Sequence, residues 1–148
     1  MNNKRFMNLA EFTAKKSEDP VTQVGCCLVT GDGMIVGSGY NRMPKRTLSD
    51  TKFPWGKSED ITQSKYPYVI HAEMAALASC EDKPGIFDAY VTLFPCSNCA
   101  KLLIESGVRT IYYTSDKYAH LPDTIASKKL LDGCGIKYTQ LEDNDAEN

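Results

Sequence analysis

The chain has 148 residues, 42% hydrophobic and 24% charged, with a formal net charge of −2. That is the size and composition of one soluble globular domain with a real core. No apolar run approaches the roughly 20 residues that span a bilayer, and a charge so near neutral, with no basic face, argues against a long nucleic acid as substrate, because phosphate contacts need clustered Lys and Arg.

Residues 4–16 read as the first helix: Phe6, Leu9, Ala10 and Thr13 recur at helical spacing, Lys15-Lys16 suit a last turn, and Ser17-Glu18-Asp19-Pro20 ends it. The apolar run Val24-Gly25-Cys26-Cys27-Leu28-Val29 reads as a fully buried strand. Gly31-Asp32-Gly33 turns the chain into a second strand at Met34-Ile35-Val36, a hairpin that Gly37, Gly39, Tyr40 and Asn41 bring to an end. Those glycines fit either loose strand-end geometry or close backbone approach to a ligand.

Residues 42–65 lack periodicity and carry Pro44, Pro54, Gly56, the single Trp55 and the basic cluster Arg42, Lys45 and Arg46. A stretch that long in a small domain is expected to be a binding loop, since Trp55 is costly to leave in water. The basic cluster fits a solvated surface or a phosphate site equally.

A helix over 71–80 follows, then a strand at Ala89-Tyr90-Val91-Thr92-Leu93-Phe94. A third helix opens after Cys96 and stops at Ser106-Gly107, and a strand covers 108–114. Asp123 is expected to cap a short helix that Gly133 stops, and 136–141 alternates as the last strand. Tyr112 and Tyr113 alternate within a strand, so one faces the core. The order predicts an α/β fold of three α/β/α layers, one mixed five-stranded sheet with helices on both faces. No repeat or linker divides 1–148, and Glu142 to Asn148 reads as a frayed acidic tail. The start of the chain lacks a signal-peptide apolar core, so a cytoplasmic or other intracellular location is expected.

Chemistry concentrates in two segments, His71-Ala72-Glu73 and Pro95-Cys96-Ser97-Asn98-Cys99. One imidazole and two thiolates are good zinc ligands, and three protein ligands leave a fourth tetrahedral position for water, the mark of a catalytic zinc. Zinc lowers the pKa of such a water to about 7, and Glu73, two residues from the imidazole, is placed to move its proton. Thiolates of a C-x-x-C favour a helix N-terminus, and both segments open helices, which would gather the four side chains at one point. Alone, the C-x-x-C would fit a redox pair or half of a structural zinc site; joined to His-x-Glu it points to catalysis. Cys26, Cys27, Cys80 and Cys134 are expected to be buried thiols, with Cys26 and Cys27 on opposite faces of a strand. His120 is expected to be an exposed loop residue.

His-x-Glu followed by Pro-Cys-x-x-Cys is the signature of the zinc nucleobase deaminases. From Phe6 to Leu141 the chain resembles their deoxycytidylate (dCMP) deaminase branch. Ser17 with Asp19-Pro20, Val24-Gly25, Gly39-Tyr40-Asn41 with Met43-Pro44, Leu93-Phe94-Pro95-Cys96 and Ser115-Asp116-Lys117-Tyr118 carry the likeness. The resemblance implies the cytidine-deaminase-like fold, one catalytic Zn²⁺ per chain on His71, Cys96 and Cys99, and Glu73 as proton shuttle. It places Asn41 near the deoxyribose and the Ala72 N–H near the pyrimidine oxygen. Tyr118, with Lys117, Ser17 and the Ser115 segment, falls near the phosphate. The implied reaction is dCMP plus water to dUMP plus ammonia, supplying thymidylate synthesis.

Many family members are homohexamers activated by dCTP with Mg²⁺ and inhibited by dTTP, through the loop after Tyr40-Asn41. Here Arg42 stands where similar members commonly have glycine, and Lys45-Arg46 replace a small, flexible stretch. Longer basic side chains would strengthen triphosphate binding or block the effector pocket, and an enzyme that accepts dCTP is a second expectation. Deaminases of tRNA adenosine, free cytidine or guanine are rivals, although the acidic tail does not suit RNA and a free nucleoside leaves Ser115 to Tyr118 unexplained. A non-catalytic zinc- or nucleotide-binding module is the rival of another class, and would make Glu73 dispensable.

Overall fold

A computed structural model describes residues 2–142; the acidic tail expected from Glu142 onward lies outside the described residues except for Glu142 itself. In chain order the elements are α1 (Asn3–Ala14), β1 (Gly25–Thr30), β2 (Ile35–Tyr40), α2 (Ala72–Ser79), β3 (Phe87–Leu93), α3 (Ser97–Ser106), β4 (Val108–Ser115), α4 (Pro122–Gly133) and β5 (Lys137–Gln140), with one 3₁₀ turn at Ile61–Gln63. They form one mixed sheet in the order β2-β1-β3-β4-β5. Strand β1 is antiparallel to β2 and to β3, whereas β3, β4 and β5 run parallel through the two helical crossovers. No helix among the described residues is long and apolar enough to cross a membrane.

Helix α1 begins at Asn2, whose side-chain oxygen accepts the Arg5 N–H at 3.1 Å. It covers one face of the sheet with Phe6, Met7 and Ala10 against Cys27, Val29 and Tyr90. The other face buries Cys26, Leu28, Ala89, Val91 and Ile111 under Ala72 and Ala76 of α2, Leu103 of α3 and Leu131 of α4. The helices therefore divide one against three. Period-two alternation puts Cys26 and Cys27 in opposite cores, as expected, and likewise Tyr113 and Tyr112. The thiols of Cys26 and Cys27 are buried, but Cys80 is half-buried and Cys134 exposed. Cys134 sits at the C-cap of α4, past the last turn that the core covers.

Strand β2 continues through Gly37 and Gly39 to Tyr40 instead of stopping before them. Their partner in close approach is neither solvent nor a ligand but α2. A Cβ on Gly37 would lie 2.5 Å from the Ala76 carbonyl oxygen, and one on Gly39 would lie 2.7 Å from the Ala75 carbonyl carbon. The missing side chains let α2 rest directly on β2, which sets the depth of the helix that begins beside His71. Gly39→Val is expected to cost about 3 kcal/mol, the upper end of overpacking, because backbone must move to admit the branch. Gly56→Val, with open space around it, is the control; equal denaturation midpoints for the two would refute the account.

Candidate active site

Two loops at the same end of the sheet deliver the motif residues. His71 occupies the N-cap of α2 and Cys96 the N-cap of α3, both with extended backbone. Neither side chain caps its own helix; both turn toward each other instead. His71 Nδ1 lies 3.5 Å from Cys96 Sγ and 3.4 Å from Cys99 Sγ, and the three ligand atoms fall within 4.8 Å of one another. A tetrahedral zinc with Zn–S of about 2.3 Å and Zn–N of about 2.0–2.1 Å would separate S and N by about 3.6 Å. The donor set and its spacing therefore fit Zn²⁺.

Protonation within the trio agrees with ligand character. The Cys99 thiol, and then the His71 ring acting against the cost of burial, hold Cys96 down to about 4. Cys99 is pushed up by the same hydrogen bond and by burial. His71 is raised, chiefly by Cys96. Metal binding requires both thiols deprotonated, so a bound metal would release the proton that Cys99 holds. Glu73, in the first turn of α2, is buried and carries its carboxyl into the same space. Burial pushes it up to about 7, against the pull of His71. Such a group holds or releases a proton near neutral pH.

His71, Glu73 and Cys96 line a cavity of about 450 Å³, large enough for a small-molecule ligand. Of the other residues expected there, Asn41, Ala72 and Tyr118 also line it. Ser17, Ser115 and Lys117 do not line it. Ser17 donates to the Asn41 carbonyl at 2.7 Å, the Ser115 hydroxyl accepts the Lys117 N–H at 3.4 Å, and the Lys117 ammonium reaches Thr22 at 3.0 Å and overlies the Tyr118 ring. His120 is exposed.

Residues 42–70 form a loop closed at its base, where Arg42 and Ile70 exchange backbone hydrogen bonds of 3.0 and 2.7 Å. Its later part gives Lys57, Lys65, Tyr66 and Val69 to the cavity. Its earlier part builds a second cavity of about 470 Å³ with Arg42, Lys45 and Trp55 in the lining, where Lys45 overlies Tyr40. Arg46 does not line it.

Two contributors act through partners that the sequence does not show. Asp19 is buried and accepts from Lys65 at 2.7 Å, from Asn41 at 3.3 Å and from the Val21 and Thr22 N–H groups at 2.8 and 3.2 Å. Asn41 Nδ2 also donates to the Thr22 carbonyl, and its Oδ1 accepts the Val24 N–H. Lys65 thus ties the loop to the cavity wall across 46 residues. Burial raises Asp19, but the Lys65 hydrogen bond and the two N–H groups outweigh it and hold its carboxyl below the usual range. Such a lowered group stabilises the fold above its unfolded value of about 3.9 and stops doing so as pH falls through its folded value. Lys65→Met is therefore expected to cost about 3 kcal/mol at pH 7, since it strands a buried charge. The difference from wild type narrows as pH falls below about 4 and Asp19 takes a proton. Denaturant titrations at pH 7 and 3.5 measure both; a pH-independent difference would refute the ion-pair account.

The second contributor is Asp123. It lies inside α4, whose N-cap is Leu121, so it does not cap its own helix as expected. Its carboxylate accepts instead from the Ser97 N–H at 3.0 Å and the Ser97 hydroxyl at 2.5 Å, capping α3. Those two Ser97 bonds hold it below the usual carboxylate range.

Comparisons with known proteins agree with this geometry. The family model for the cytidine and deoxycytidylate deaminase zinc-binding region matches residues 1–115. A probable deoxycytidylate deaminase of Drosophila melanogaster is 44% identical over 90% of this chain and 68% of its own length. The human deoxycytidylate deaminase is 40% identical over 90% of this chain and 75% of its own. Among solved structures, dCMP deaminase from the cyanophage S-TIM5 in complex with dCMP and dUMP shares the fold, with a TM-score of 0.74 at 24% identity over 93% of this chain and 95% of that one. With a His-Cys-Cys site of zinc dimensions beside a buried glutamate, and a family model spanning most of its length, this chain belongs to the zinc-dependent cytidine and deoxycytidylate deaminase family.

Proposed function

We propose that the protein hydrolyses the exocyclic amine of dCMP, giving dUMP and ammonia. The observation that carries this reading is the convergence of His71, Cys96 and Cys99 on one side of a nucleotide-sized cavity that also holds Glu73. The deoxycytidylate deaminases at 40–44% identity support the choice of substrate.

Zinc, held by His71, Cys96 and Cys99, supplies Lewis-acid activation of a water when bound. Glu73 would accept one proton of the attacking water on a carboxylate oxygen and give it to the ring nitrogen, and would then carry the second, from the new C4 hydroxyl, to the departing amine as the C–N bond breaks and the carbonyl forms. The Ala72 N–H, the first amide of α2, is the donor for the pyrimidine carbonyl. Asn41, locked by Val24, Thr22 and Asp19, shapes the deoxyribose wall. Tyr118 at the rim, backed by Lys117 and Thr22, faces the phosphate, with Ser17 and Ser115 as support behind it. Phe94, Val24 and Leu93 supply apolar lining, which keeps bulk water from the reacting amine. The product dUMP would feed thymidylate synthesis.

The same reading assigns the second cavity to a regulatory nucleotide, with dCTP and Mg²⁺ activating and dTTP inhibiting in a homohexamer. Arg42 and Lys45, lining that cavity, are its phosphate partners, with Arg46 adjacent in sequence.

Ammonia release by zinc-loaded protein from deoxycytidine, dCMP and dCTP, each with and without dTTP, tests these assignments. Turnover of dCMP but not deoxycytidine is expected, with dTTP depressing it. Turnover of dCTP at a comparable rate would replace the monophosphate reading with a dual-specificity one. No turnover of any of the three at one zinc per chain would overturn the reading.

A further inference from the structure

Helix α4 grips the turn that carries Cys96 from both sides. Asp123 and Ser127 lie one turn apart on one face of the helix. The Asp123 carboxylate accepts the Ser97 N–H at 3.0 Å and the Ser97 hydroxyl at 2.5 Å. The Ser127 hydroxyl donates to the Pro95 carbonyl at 2.8 Å and is completely buried. Pro95 and Ser97 are the neighbours of Cys96 on either side, and Cys96 makes no side-chain cap on α3 because its sulfur faces His71. The first amides of a helix have no internal acceptor, so an acceptor for Ser97 has to come from another element. An anionic one placed there also favours the helix dipole.

We propose that Asp123 and Ser127 are positioning residues for the metal site, which fix the backbone on both sides of Cys96 and thereby aim its sulfur. Groups that orient a ligand one shell out typically contribute 10–100-fold to metal affinity or activity. The proposal rests on the reading of His71, Cys96 and Cys99 as zinc ligands.

The test is competition between the zinc-loaded protein and a chromogenic chelator, for wild type, Asp123→Ala, Ser127→Ala, the double variant and Asp123→Asn. Asp123→Ala is expected to weaken zinc binding about 10–100-fold. Ser127→Ala weakens it less, and Asp123→Asn, which keeps an acceptor oxygen for the Ser97 N–H, recovers most of the loss. A merely structural brace would lower the melting temperature of metal-free and metal-loaded protein equally. A positioning role instead shrinks the gap between the two. A folded double variant that competes for zinc like wild type would overturn the proposal. So would an equal loss of stability with and without metal. Should the double variant fail to fold, wild-type zinc affinity in both single alanine variants would overturn it as well. A wild-type protein that binds no zinc at all is a different result: it overturns the ligand reading first, and this proposal with it.

Discussion

Glu73→Gln is expected to retain one zinc per chain and to lose kcat by about 10²–10⁴-fold, the contribution of a positioned proton carrier. The substitution changes little else. Glutamine has nearly the same shape, so it fills the same buried space without a cavity. It is neutral, and burial already disfavours the charged carboxylate at this position, so the variant is expected to melt no lower than wild type. It cannot take a proton from water, however, and no other acid stands ready to replace it. Of the other acids lining the cavity, Asp19 is held by Lys65 and Asp123 by Ser97, and His71 and Cys96 face each other as the proposed zinc ligands. Steady-state kinetics paired with elemental analysis decide the matter. Undiminished turnover in a zinc-replete variant would refute the proton-shuttle assignment and favour a module in which Glu73 is dispensable.

Cys99→Ala is expected to abolish both zinc retention and turnover. Cys99 is fully buried, and without it only His71 and Cys96 remain, too few to hold the ion against water. Because metal binding to the native state adds to folding stability, the loss has a second readout. At free zinc a thousandfold above its dissociation constant the linkage is about 4 kcal/mol. Chelator should therefore lower the melting temperature of wild type but leave that of Cys99→Ala unchanged. Cys26→Ala is the informative control. Cys26 is buried in the adjoining core but lies outside the ligand trio, so its removal should disturb packing and spare the zinc. A Cys99→Ala protein that still carries one zinc per chain would refute the ligand assignment.

Most of the architecture can be read from periodicity. Among the described residues, four helices and five strands fall where apolar spacing and stop signals put them, because each element has one face to bury and the pattern records which. The candidate trio that the structure brings together is equally legible, since His-x-Glu and Cys-x-x-Cys are local and their chemistry allows few interpretations. The errors have physical causes. Gly37 and Gly39 read as a strand end, yet they continue β2 because α2 needs the space that their absent side chains leave. Asp123 reads as the cap of its own helix. Leu121 and Pro122 already start α4, and the carboxylate goes to Ser97, whose helix has no cap of its own.

The sequence by itself therefore determined the composition of the chemistry: which side chains are the candidates to bind metal, which one is the candidate to move a proton, and that each group opens a helix. Only the tertiary structure decided how those groups stand together. His71 and Cys96 are 25 residues apart and meet at 3.5 Å because α2 and α3 pack on the same face of one sheet. Lys65 finds Asp19 across 46 residues, and α4 supplies the brace around Cys96. Periodicity reports which face of an element is buried, but not which other element covers it. Contacts between distant segments follow from packing all the faces at once.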